Sequence, residues 1–291
     1  MIKHSRAYAI AGHVALILVT LSMIAPLLLV FMSSISSESA LVQDGYTFWP
    51  AQFSLDAYSF IAQNSATVFR AYGVTIIVTV VGTAVGLFLT STLAYALSLP
   101  ELPGRRTLSF LVFFTLLFNG GLVPAYIMWS SLGVRNTLLA YILPALLVNA
   151  FNVILMRSYY QVNIPPEVYE AAKLDGAGYA RIYFQLVLPL GKPILVTIGL
   201  FIALGYWNDW TNGLYYVSDP NLFSIQTFLN RMIQDIQAIS NNSTGTVVTS
   251  NVPTVSVRMA ISFVALLPLL IIYPLLQRYF ARGIMVGAVK G

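Results

Sequence analysis

"IPPEVYEAAKLDGAGYARIYFQLVLPL", Ile164 to Leu190, is a polar island near the middle of an otherwise apolar chain. Pro165 and Pro166 suit the first turn of a helix, where a missing N–H costs nothing. Glu167 and Glu170 lie early, where carboxylates complement the helix dipole. Val168, Ala171, Ala172 and Leu174 supply a small, apolar surface. Asp175 and Gly176 then make a natural left-handed stop. A second helix is expected from Tyr179 to Leu188, ending at Pro189. The stretch reads as helix, turn, helix. On these residues alone, an interfacial helix that anchors a loop and a docking surface for another protein are both open.

Outside the island, composition decides the class. Hydrophobic residues make up 58% of 291 positions and charged residues only 9%, against roughly 25% charged in a soluble domain. The net charge of +5 is not blocked as a nucleic-acid patch would be. Cysteine is absent, which removes disulfides, thiolate clusters and a Cys nucleophile. Lys3 and Arg6 precede an apolar run from Ala7 to Met32 that is too long for a signal-peptide core, so it reads as a retained first span.

Six stretches are long enough to cross a bilayer, which takes about 20 mostly apolar helical residues. They are 11–32, 71–98, 107–129, 137–156, 190–210 and 257–277, and they predict an all-α polytopic membrane protein with six transmembrane helices. An even count puts both termini on one side. Eleven bases (Lys3, Arg6, Arg105, Arg106, Arg157, Lys173, Arg181, Lys192, Arg278, Arg282 and Lys290) fall on that side. Four (Arg70, Arg135, Arg231 and Arg258) fall on the other. This bias predicts cytoplasmic termini and a cytoplasmic island. Residues 1–70 are read as the first span plus an outward segment, and 71–291 as the core. Within the core lie the 164–190 island, an outward loop at 211–256 and a cytoplasmic tail at 278–291.

Ser54 is placed to cap a short helix in the first outward segment. In the second, Ile225, Phe228, Leu229, Met232, Ile233 and Ile236 repeat as one helix face, followed by a polar, turn-rich stretch expected to be a loop. Gly82 and Gly86 form a small-xxx-small pair, read as ordinary packing within the chain.

"EAAKLDG", nine further residues, then "LVLP" resembles the EAA loop of bacterial ABC-importer permeases, with Glu170, Ala171, Ala172, Gly176, Leu186, Leu188 and Pro189 at the pattern's positions. Leu186 stands where isoleucine is more usual. The tail "QRYFARGIMVGAVKG" is similar to that of maltose-importer-like permeases. "GGLVPAYIMWSSLGVRNT" and "YWNDW" are similar to carbohydrate-importer permeases, above all those handling oligosaccharides such as fragments of plant or algal polysaccharides. The resemblance implies the ABC type I importer permease fold in a bacterial cytoplasmic (inner) membrane. It implies a coupling helix, with Glu170 facing a basic group of an ATPase subunit, and Ala171, Ala172, Asp175, Gly176, Leu186 and Pro189 shaping the contact. The tail, with Gly283, Gly287, Lys290 and Gly291, would reach between two ATPase copies. The loop 239–254 would meet an external solute-binding protein. A second permease completes the assembly. The chain itself would bind no cofactor, ATP and Mg being used by the partner ATPase.

The sequence has no phosphate-binding G-x-x-x-x-G-K-[ST] loop. Its two histidines, His4 and His13, sit near the N-terminus, which speaks against a metal site or a catalytic triad. Polar groups that line a translocation path must face the bundle interior. The candidates are Asn119, Asn149, Asn152, Trp207, Asn208, Asp209 and Trp210. Asn and Asp can bond sugar hydroxyls and Trp can stack on a sugar ring, although interhelical bonding and interfacial anchoring explain the same residues. The rival readings are an autonomous secondary transporter or channel, and a membrane-anchored assembly protein. The scarcity of acids at mid-membrane argues against a proton relay.

Overall fold

A run of 29 residues with one proline and no glycine beyond Gly12 has every reason to be a single helix, and α1 (Arg6–Ser34) is one. The computed structural model describes residues 6–63, 65–144, 147–242 and 255–283. Every regular element among them is helical. The chain forms two compact units, one of residues up to Val68 with Leu229–Leu270, the other of Phe69–Phe228 with the residues from Ile271 onward.

In the first unit α1 carries exposed apolar side chains from Ile10 to Leu28, as lipid contact requires. After it come α2 (Glu38–Asp44) and α3 (Asp56–Gln63). Ser54 caps α3 as expected, its hydroxyl accepting from the Asp56 N–H at 3.0 Å. The last helix, α15 (Val255–Gly283), begins under a carboxylate clasp. Glu38 accepts from Val255 N–H (2.9 Å), Ser256 N–H (2.9 Å) and the Ser256 hydroxyl (2.8 Å). Three donors at a helix N-terminus satisfy groups that would otherwise be orphaned. Phe31 of α1 packs on Phe263 of α15 at 4.8 Å.

The second unit is built round α4 (Ser65–Ser98), α8 (Ala150–Asn163) and α12 (Lys192–Trp207). Val78, Leu97, Val153, Met156, Tyr160, Ile182, Val187 and Ile198 form its fully buried core. Close approach explains Gly82 and Gly86 of α4. A Cβ at Gly82 would stand 2.5 Å from the Tyr206 ring of α12, so the packing reading of that glycine holds. Tyr206 also donates its hydroxyl to the Ile142 carbonyl at 3.0 Å.

Two expected spans are not single straight helices. The stretch 107–129 is α5 (Arg105–Leu117) and α6 (Leu122–Ser131), bent by 114°. Its apolar composition hides the break, but Asn119-Gly120-Gly121 makes it: Gly121 has φ 87°, and Asn119 accepts its N–H at 2.8 Å. The stretch 137–156 holds the single turn α7 (Leu139–Ile142) and the first half of α8. The fifth, 190–210, is the single helix Lys192–Trp207 as expected, leaving the preceding segment Tyr179–Leu190 through an 84° bend at Gly191. Any side chain at Gly191 would meet the Val187 carbonyl at 2.8 Å and Tyr160 at 2.9 Å. Among the described residues, two helices, Ile10–Ser34 and Ser65–Ser98, are long and apolar enough to cross a membrane unbroken, and each bent pair has the composition for one more crossing. Val255–Ile271 is a shorter apolar helix. The amphipathic α14 (Ile225–Asn242) runs further than its apolar face predicted, taking in Ala238–Asn242.

Candidate functional site

The polar island folds as its caps dictate. Helix α9 (Pro166–Leu174) starts with proline in its first turn and stops at Gly176, whose φ of 77° only glycine adopts without strain. Asp175 N–H donates to Ala171 O (3.0 Å) and Ala177 N–H to Ala172 O (2.9 Å), closing the helix end. The returning segment is α10 (Tyr179–Ile182), a π-helical turn (Tyr183–Val187) and α11 (Leu188–Leu190).

Two cavities flank α9. A concavity of about 530 Å³ is lined by Glu167, Val168, Ala171, Ala172, Asp175, Ala177, Arg181, Ile182, Gln185 and Leu186. Four of the seven expected contact residues, Ala171, Ala172, Asp175 and Leu186, share it. Glu170 lies on the other side, lining a cavity of about 280 Å³ with Glu101, Tyr160, Tyr169 and Lys173. Gly176 closes the helix and Pro189 is exposed in α11, outside both. Leu174, at the tip of α9, is 89% exposed. The sequence marks it only as part of an apolar surface. Its position one residue before the Asp-Gly stop is the signal that sets it at the tip.

Behind its outer face α9 is braced to the body. Lys173 pairs with Glu101 and lies 5.7 Å over the Tyr179 ring. The hydrogen bond to Glu101, chiefly, holds the Lys173 ammonium above its ordinary pKa. Tyr169 stacks on Tyr95 of α4 (6.4 Å, 19°), and Tyr95 packs on Tyr183 of the π turn at 5.4 Å. Tyr183 and Ser91 share a hydrogen bond of 2.5 Å, and Tyr95 donates to the Tyr179 carbonyl at 3.3 Å. Spacing singles out none of these tyrosines, because no periodicity links residues 91–95 to 169–183.

The pathway candidates are dispersed. Asn119 closes the α5–α6 turn, and Asn149 caps α8 by accepting from Phe151 and Asn152 N–H groups at 2.9 and 3.3 Å. Asn152 is buried on α8. Asn208 turns back to the Leu204 carbonyl of its own helix at 2.9 Å, and Trp210 is exposed. Trp207 and Asp209 differ: the indole N–H and one carboxylate oxygen are buried without a hydrogen-bond partner. The other Asp209 oxygen accepts from Asn212 N–H at 3.1 Å, starting α13 (Thr211–Tyr216). Around them Asn212 donates to Pro144 O (3.1 Å), Tyr141 bonds Thr227 (3.1 Å) and accepts from Ser224 N–H (3.1 Å), and the Ser224 hydroxyl donates to Asp209 O (3.4 Å). Gly213 fits flush there, since a Cβ would fall on Thr227 Oγ1. This buried polar cluster, with Tyr141, Asn212, Ser224 and Thr227, is not readable from the sequence.

Residues 102–286 match the family of binding-protein-dependent transport system inner membrane components. The chain belongs to that family. The match takes in the whole helix–turn–helix and the cavity of about 530 Å³ beside it. Among relatives of this permease, the protein LplC of Bacillus subtilis is 38% identical over 270 residues, covering 92% of this chain and 90% of LplC. The polygalacturonan/rhamnogalacturonan transport system permease protein YtcP of the same organism is 37% identical over 276 residues, covering 95% and 96%. A chain of a bacterial ABC transporter involved in import of the acidic polysaccharide alginate superposes with a TM-score of 0.80 at 31% identity, covering 96% of this permease and all of that chain. The all-α importer-permease fold and a multi-pass place in the inner membrane follow. As a family of transport components, it works with a permease partner, an ATPase and a solute-binding protein. Of the expected tail contacts, Gly283 ends α15. Gly287, Lys290, Gly291 and the loop residues 243–254 lie outside the described residues.

Proposed function

We propose that the permease carries oligosaccharides inward, and that α9 is the lever through which ATP chemistry elsewhere moves its helices. The exposed tip of α9 carries this reading: Leu174 stands 89% exposed beside a concavity of about 530 Å³. An exposed apolar side chain on a short helix that also carries Glu167 and Glu170 and ends at Asp175 fits a cleft of a protein with bases at its edge. The assembly would hold one second permease, two ATPase copies that bind ATP and Mg, and one external binding protein. Both termini would be cytoplasmic, and the tail would reach the ATPase pair. Closure of that pair would pull α9 and its braces together, since a ligand biases two states only through contacts that differ between them.

Oligosaccharides are favoured as substrate because two relatives alike over nearly the full chain belong to polysaccharide systems. YtcP serves polygalacturonan/rhamnogalacturonan transport, and the structural relative belongs to a transporter involved in alginate import. The buried Trp207–Asp209 cluster offers an indole and hydrogen-bonding groups of the kind sugars use. The test is a Glu170→Lys variant in the complete transporter, reconstituted in vesicles with its binding protein. ATPase co-purification and ATP-driven oligosaccharide uptake should both fall sharply while the two permeases stay paired. Full docking and full uptake in that variant would overturn the lever.

A further inference from the structure

Between Asp44 and Asp56 run eleven uncharged residues, Gly45 to Leu55, rich in aromatic rings. They do not fold their rings inward. Trp49 is 73% exposed, Phe53 62% and Phe48 59%, with Leu55 and Tyr46 exposed as well. The loop that presents them is nonetheless built. Ser37 N–H donates to Gln52 O and Ser54 N–H to Ile35 O, each at 2.9 Å, so Phe53 pairs antiparallel with Ser36. Trp49 meets Phe53 edge to face at 6.0 Å, and the Thr47 hydroxyl donates to the Trp49 carbonyl at 2.9 Å. Tyr46 receives a hydrogen bond from Arg258 of α15 at 3.4 Å.

These contacts fix where the rings lie. The apolar part of α1, Ile10–Ser34, has 25 residues, a length of about 37 Å at 1.5 Å per residue. That exceeds a hydrocarbon core of about 30 Å, so Ser34 emerges at headgroup depth. Phe53 is pinned opposite Ser36, two residues beyond that exit. The exposed aromatic rings therefore belong to the segment tied to the exit of α1. Trp and Tyr rings prefer this level, where an apolar body and a polar edge are both accommodated.

We propose that the 45–55 loop lies in the headgroup–acyl boundary of the bilayer and, through Ser36 and Arg258, sets the depth of α1 and α15. A docked protein is the competing occupant. The bilayer is favoured because the loop presents exposed aromatic rings, lacks charge over eleven residues, and is held by backbone hydrogen bonds at the exit of α1.

The natural absence of cysteine allows a clean test. Ala51→Cys, in the same loop, removes no ring and takes one environment-sensitive fluorophore. The labelled chain is assembled with cysteine-free partner subunits in vesicles of phosphatidylcholine and phosphatidylglycerol. Lipids brominated near the headgroup should cause loss of the label's fluorescence, and aqueous iodide should not. Adding Phe48→Ser, Trp49→Ser and Phe53→Ser should reverse both results. Iodide access without bromolipid quenching would overturn the proposal. Protection that arises only on adding the solute-binding protein would assign the surface to that protein instead. Bromolipid quenching unchanged by the triple serine variant would show that the rings are not the anchor.

Discussion

Leu174 is the residue on which the docking of α9 is most exposed to test. Burying a leucine fully is worth about 1.5–3 kcal/mol. Truncation to alanine removes that contact without touching the fold, because the side chain meets solvent and the caps at Asp175 and Gly176 remain. Leu174→Ala should weaken ATPase binding by about 10- to 100-fold, the equivalent of that burial at 1.4 kcal/mol per factor of ten. Leu174→Asp should abolish binding. Detergent-solubilised permease pair titrated with purified ATPase would measure both. Unchanged affinity in the aspartate variant would place the contact elsewhere on α9. The position is legible in the sequence as part of an apolar strip, but not its exposure, since Val168 and Ala172 of the same strip are half-buried.

At the level of elements, the proposed lever α9 would move the bundle only if it is stiffly joined to a spanning helix, and Tyr95 would be that joint. It stacks on Tyr169 of α9, packs on Tyr183 of the π turn and bonds the Tyr179 carbonyl. Single-turn π segments recur at functional positions, where the register of a helix is cheap to alter. Tyr95→Ala should leave the ATPase bound and hydrolysing while transport per ATP falls several-fold. Tyr95→Phe keeps the stack, worth about 0.5–1.5 kcal/mol per aromatic pair, and should retain most coupling. The measurement is the ratio of sugar taken up to phosphate released. A proportional fall of assembly, hydrolysis and uptake would reduce Tyr95 to a packing residue. Helix starts and stops of the island are readable because they rest on local chemistry: proline in the first turn, glycine at φ 77°, an Asp-Gly pair. The tyrosine joint and the break at Gly121 are not. The joint depends on residues far apart in the chain, Tyr95 against Tyr169, Tyr179 and Tyr183. The break at Gly121 lies inside a run whose hydropathy is uniform while its backbone geometry is not.

For the whole molecule the open choice of the sequence was between an autonomous carrier and one part of an ATP-driven machine. Asp209 brings that choice to a single group. One of its oxygens is buried and unpartnered at the end of α12, the position in which a proton- or ion-coupled carrier would keep its working carboxylate. In the importer its burden is lighter: to start α13 through Asn212 N–H and to sit among Trp207, Tyr141, Ser224 and Thr227. An asparagine in its place would accept the same hydrogen bond from Asn212 N–H. Asp209→Asn in the complete transporter should therefore keep uptake strictly dependent on ATP, insensitive to collapse of the proton gradient, and within about tenfold of the native rate, since one altered neutral hydrogen bond is worth about 0.5–1.5 kcal/mol. The unaltered chain alone in vesicles should carry no sugar under an imposed proton or sodium gradient. Gradient-driven uptake by the isolated chain, lost in Asp209→Asn, would overturn the ATP-driven reading at its root. The side-chain chemistry predicts the opposite. The groups that bond Asp209 or neighbour it are an amide, hydroxyls and an indole, and without a second acid to receive it a proton has nowhere to go.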